Sequence, residues 1–131
     1  MTKPADQPLL RIENLAVSFA SPTGPVRAVT GVNLSVYPQQ TLAIVGESGC
    51  GKSVTALSIL QLLPHPPAHF DSGQICWAGN DSSTPANLLE MTEKQMQGIR
   101  GDQIAMIFQE PMTSLNPVYT IGEQILEAIR L

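Results

Sequence analysis

"GESGCGKS", residues 46–53, stands between two apolar runs, TLAIV at 41–45 and VTALSILQLL at 54–63. The stretch fits the spacing G-x-x-x-x-G-K-[ST], with Gly46, Gly51, Lys52 and Ser53 at the defining positions. Each residue type has a physical reason to be there. Gly46, Gly49 and Gly51 allow the main chain conformations closed to other residues and a close approach to a ligand. Glu47, Ser48 and Cys50 complete a loop whose N–H groups can converge as an anion nest. A helix that follows adds its unpaired first-turn N–H groups and the positive end of its dipole. Lys52 supplies a point charge for the β- and γ-phosphates, and Ser53 a hydroxyl for Mg²⁺. The alternative is a glycine-rich turn with a solvated lysine. The flanking pattern speaks against it, because Thr41–Val45 reads as a strand covered on both faces and Ser53–Leu63 as a buried helix ended by Pro64. Strand, tight turn and helix make the opening of a βαβ unit.

Working outward, Leu10, Ile12, Leu15, Val17 and Phe19 predict a strand whose alternation slips near Asn14, as a bulge would make it. ASPTGP at 20–25 is a turn cluster. Val32, Leu34 and Val36 alternate with polar neighbours as a half-wet strand, so residues 10–36 suggest an antiparallel, hairpin-like flank. Residues 1–8 read as a leader and 80–87 as a polar loop. GQICWAG at 73–79 and Gln103–Phe108 read as strands. Thr92 with Gln95, and Thr120 with Glu123, form capping boxes that open helices, the first ending near Gly98. Trp77 reads as strand packing. Met91, Met96, Met106 and Met112 read as core and loop filler. His65 and His69, in a proline-rich loop, lack any further mark of a metal site.

Composition bounds the class. The chain has 131 residues, 43% hydrophobic and 14% charged, enough for one domain with a core. A net charge of −4 argues against a surface that holds nucleic acid by neutralising phosphates. The two cysteines, Cys50 and Cys76, make neither a disulfide framework nor a zinc site, which fits a reducing, cytoplasmic setting. The N-terminal residues show no apolar signal segment.

Together, GESGCGKS and IAMIFQEPMTSLNP (104–117) resemble the nucleotide-binding subunits of ABC transporters, and the wording is close to the oligopeptide and dipeptide importer branch. LLPHPPAHFDSGQI (62–75) is similar to members with two ATPase halves in one chain. The resemblance runs from about Leu9 to Leu131 and is loose across 78–95. It implies an α/β fold: the N-terminal part of a P-loop NTPase domain of ABC type, with an antiparallel β flank and the start of a helical subdomain. Residues 1–131 would be one incomplete domain: leader at 1–8, β flank and P-loop core at 9–77, connecting segment and Q-loop strand at 78–109, and helical start at 110–131. It also implies roles. Phe19 falls where the family stacks an aromatic on adenine. Gln109 falls at the Q-loop glutamine that contacts Mg²⁺ and the attacking water. Its amide can both donate and accept without a charge.

The implied cofactors are ATP and Mg²⁺. The implied partners are a second ATPase half or subunit, multi-span permease subunits and, indirectly, a solute-binding protein. The implied place is the cytoplasmic face of the inner membrane. The family's LSGGQ-like segment, its Asp-Glu strand end and its switch histidine do not occur in these 131 residues. The expectation is therefore an ATP-binding segment of an importer ATPase without hydrolysis of its own. The alternative is a non-transport ABC-type ATPase or a regulatory nucleotide-binding module.

Overall fold

In the computed structural model, which describes residues 7–79, 84–110 and 115–130, the predicted flank is the organising element. Strand β1 (Leu10–Phe19) pairs antiparallel with β2 (Val26–Val36) on one side and with β3 (Ala68–Trp77) on the other. A two-residue β4 (Ala86–Asn87) completes a sheet in the order β2-β1-β3-β4. The slip at Asn14 is a bulge. The β1–β2 register shifts between Ile12 and Leu15, Asn14 sits at φ 48°, and its N–H donates to Asn33 Oδ1 at 2.9 Å. β3 crosses the same place with Gly73 at φ 100°, where a Cβ would stand 2.6 Å from the Asn14 carbonyl oxygen. No residue but glycine fits between the two backbones there.

One face of the sheet is the core. Ile12, Leu15, Val17, Val29, Ala68 and Ile75 are buried together with Leu63, Leu88, Met96 and Ile99. Each large side chain so removed from water contributes about 1.5–3 kcal/mol. Helix α1 (Lys52–Ile59) lays Val54, Leu57 and Ile59 against this cluster. α1 stops four residues short of the predicted Leu63. Leu62 N–H bonds to Leu57 C=O and Gln61 N–H to Ser58 C=O, with Gln61 in the left-handed region at φ 50°. That is a Schellman ending with glutamine where glycine is usual.

A 3₁₀ turn (Leu88–Glu90) leads to α2 (Glu93–Gln97), which opens on the Thr92–Gln95 capping box and ends at Gly98. α3 (Ile121–Arg130) follows the Thr120–Glu123 box. Trp77 is half-buried, its Nε1 donating to Gln103 Oε1 at 2.9 Å. Met96 is fully buried. The expected leader at 1–8, the loop at 80–87 and the loop at 110–117 with Met112 lie partly or wholly outside the described residues.

Two expected strands are not strands. Thr41–Val45 forms neither strand nor helix, and its residues are exposed, Val45 at 92%. Gln103–Phe108 has only the bridge from Arg100 to Ile104, and Ile107 is 93% exposed. An apolar run becomes a strand only beside a neighbour that accepts its hydrogen bonds. Among the described residues neither run has one.

Candidate phosphate-binding site

The glycine loop joins the exposed segment 41–45 to α1 and folds around its own lysine. Lys52 Nζ donates to the carbonyl oxygens of Gly46 and Glu47, each at 2.6 Å, and to Cys50 Sγ at 3.3 Å. Cys50 N–H closes a turn onto Glu47 C=O at 3.4 Å. Gly49 at φ 81° and Gly51 at φ 90° occupy the left-handed region. Gly46 owes its identity to space, since a Cβ there would meet Cys50 Sγ at 2.5 Å.

Gly51 is the N-cap of α1, and no side chain caps the first turn. No acidic residue lies in that turn either. The helix start thus keeps its positive end without a built-in competitor, the arrangement an anion requires. Thr55 is turned inward, its Oγ1 donating to Gly51 C=O at 2.9 Å.

A cleft of about 330 Å³ is lined by Ala28, by Ser48 through Val54, and by Gln109. The structure therefore brings Ser48, Gly49, Cys50, Gly51, Lys52 and Ser53 together with Gln109, fifty-six positions beyond Ser53 in the chain. Gly46 and Glu47 reach the site through the carbonyls that hold Lys52. Phe19 is not among the lining residues. It is half-buried against the core, opposite Val26 and Ala68 in the sheet. Ala28 is a wall residue that the sequence did not point to. Its signal is steric: it lies on β2, and its carbonyl is what Gly51 approaches.

A glycine loop, an uncapped helix start, an ammonium group and a hydroxyl on one cleft are the parts of a P-loop, set in an α/β fold. The chain belongs to the ABC transporter family, whose model matches residues 29–130. It is 49% identical over 121 residues to the oligopeptide transport ATP-binding protein OppD of Bacillus subtilis, covering 92% of this chain and 32% of that protein. It is 50% identical over 123 residues to the probable peptide ABC transporter ATP-binding protein y4tR of Sinorhizobium fredii, covering 94% and 35%. To the dipeptide transport ATP-binding protein DppD of B. subtilis it is 49% identical over 121 residues, covering 92% and 34%. The chain thus spans about a third of the length of the curated relatives it matches. Among the described residues, no helix is long and apolar enough to cross a membrane.

Proposed function

We propose that the chain is the ATP-binding segment of an ABC importer ATPase that energises uptake of peptides or related solutes across the inner membrane. The observation that carries this reading is the meeting of Lys52, Ser53 and Gln109 on one cleft under the glycine loop. The loop amides and Lys52 would hold the β- and γ-phosphates of ATP. Ser53 and Gln109, two residues that carry side-chain oxygens to that cleft, fit Mg²⁺, which favours oxygen ligands and shares them with substrate phosphates. The metal would offset charge on the phosphates. Phe19 would stack on the adenine, in the role the resemblance assigns it.

Residues 1–131 form, in this reading, one incomplete domain. Hydrolysis belongs to a whole protein that also brings the missing signature segment, Asp-Glu pair and histidine, so this chain alone binds without turnover. The peptide-transport names of the relatives support peptides as the solute class. A second ATPase half, permease subunits and, indirectly, a solute-binding protein are the partners. The cytoplasmic face of the inner membrane is the place of action.

The test is a titration with a fluorescent ATP analogue in the presence of Mg²⁺. Wild-type chain binds saturably, and Lys52→Ala binds about 1.5–3 kcal/mol more weakly, the scale of a hydrogen bond to a charged group. Equal affinity in the two proteins, or no saturable binding in wild type, overturns the reading.

A further inference from the structure

The cleft has two walls of different origin. One is the glycine loop with α1. The other carries Gln109, and the chain that delivers it runs from Ala105 to Phe108 in neither helix nor strand. On its upstream side, the position of Gln109 follows from where the chain was last fastened. That place is a compact knot at 96–104. Arg100 N–H bonds to Met96 C=O, Ile104 N–H to Ile99 C=O, and Gly101 N–H to Ile104 C=O, each at 2.9–3.0 Å.

The side chain of Arg100 ties this knot to the other wall. Its Nε donates to Leu60 C=O at 2.8 Å and its Nη2 to Gln61 C=O at 3.2 Å, while Nη1 pairs with Glu93. Leu60 is the C-cap of α1 and Gln61 the residue after it, so both carbonyls lie at the helix end, where main-chain acceptors lack intrahelical partners. A guanidinium suits them twice over. Its fork spans two neighbouring acceptors, and its charge answers the negative end of the helix dipole. The Arg100 side chain is only 22% exposed, so these bonds are little contested by water. The same α1 whose start forms the phosphate site is thus held at its far end by the segment that leads to Gln109.

We propose that Arg100 is a positioning residue of the nucleotide site: by clamping the end of α1 to the 96–104 knot, it sets the distance between the glycine loop and Gln109. The inference rests on the reading of the cleft as an Mg-ATP site. Gln109 touches nucleotide only through the metal in that reading. Loss of the clamp therefore weakens binding of Mg-ATP and spares binding of ATP without metal, whereas general destabilisation weakens both alike.

The experiment is a double-mutant cycle with Arg100→Gln and Gln109→Ala, read as Kd for the fluorescent ATP analogue with Mg²⁺ and with EDTA. Arg100→Lys is the second variant, keeping the charge but not the fork, and circular dichroism checks the fold of each. Arg100→Gln is expected to raise the Kd for Mg-ATP about five- to tenfold, within the coupling range of contacting networks. It should change the EDTA value less than about twofold. In the Gln109→Ala background the same substitution should add less than about twofold. Arg100→Lys should fall between wild type and Arg100→Gln. Strict additivity, or equal loss with and without Mg²⁺, overturns the proposal while leaving the nucleotide site intact. Absence of any wild-type binding overturns the site itself and the proposal with it.

Discussion

Gly51 lies against the main chain of Ala28 so closely that a methyl group on its α-carbon would stand 2.5 Å from the Ala28 carbonyl oxygen. The contact joins the end of the glycine loop to β2, and it sets apart two glycines that look equivalent in the motif. At Gly51 the obstacle is backbone, and φ is 90°. At Gly46 the obstacle is the Cys50 thiol, a side chain that can turn away. Gly51→Ala is expected to lower stability by about 1–3 kcal/mol from backbone strain alone, with more from the collision. Gly46→Ala should cost less, and Cys50→Ser should relieve part of that cost. Thermal melts of the four proteins decide it. A Gly46→Ala chain less stable than Gly51→Ala would contradict the structure.

Cys50 is exposed on the cleft wall with its sulfur 3.3 Å from Lys52 Nζ. Cys76 is half-buried on β3, where burial pushes its thiol above the usual range. A maleimide should therefore label Cys50 well before Cys76, because the thiolate is the reacting species and needs access. Saturating Mg-ATP should slow labelling of Cys50 and leave Cys76 unchanged. Peptide mass spectrometry at timed quenches reads both sites. Identical Cys50 rates with and without nucleotide would show that bound ligand does not cover this wall.

The box at the start of α3 makes that helix sensitive to acid. Thr120 Oγ1 donates to Glu123 Oε2 at 2.8 Å and Thr120 N–H to the same oxygen at 3.0 Å. These bonds favour the ionised form and hold Glu123 below the usual carboxylate range, the hydroxyl contributing most. A lowered folded-state pKa means that the carboxylate's contribution is whole above the usual range. It is lost only as pH falls through the lowered value. The Glu123 carboxyl resonance should thus titrate below the usual carboxylate range, and Thr120→Ala should move it upward. A Glu123 titration unmoved by Thr120→Ala would remove the box as its cause.

Gln61 gives a case where two effects oppose. Its φ of 50° favours glycine, yet its Nε2 donates to the carbonyls of Leu88 and Met91. Gln61→Ala keeps the strain and loses both bonds, so it should cost about 1–3 kcal/mol, the penalty for acceptors left without a partner. Gln61→Gly loses the same bonds but relieves the left-handed strain, worth about 1 kcal/mol, and should melt above Gln61→Ala. The order of the two melting temperatures is the check.

These details show which parts of the fold were legible. The slip in apolar spacing at Asn14 announced a bulge, because a period of two cannot absorb an extra residue without one. Thr92–Gln95 and Thr120–Glu123 announced helix starts, since capping is local chemistry. The turn of the glycine loop into α1 was legible for the same reason. Thr41–Val45 and Gln103–Phe108 were misread because apolar content is a property of a segment and a ladder is a property of a pair. The full reach of β3, back to Ala68, was hidden behind Pro64, Pro66 and Pro67, and its crossing at Gly73 became intelligible only beside Asn14. Neither the Arg100 clamp nor the approach of Gly51 to Ala28 leaves a mark in sequence spacing, because each joins segments far apart in the chain.

The unpaired runs at 41–45 and 105–108 divide the molecule by how long a proton stays on its nitrogen. Amides of β1, flanked by a partner on each side, should exchange with deuterated solvent only when the sheet opens. Those of Leu42–Val45 and Met106–Phe108 should exchange within the dead time of manual mixing. A deuteration map of this chain would therefore trace the border between what the antiparallel sheet secures and what waits for a neighbouring strand.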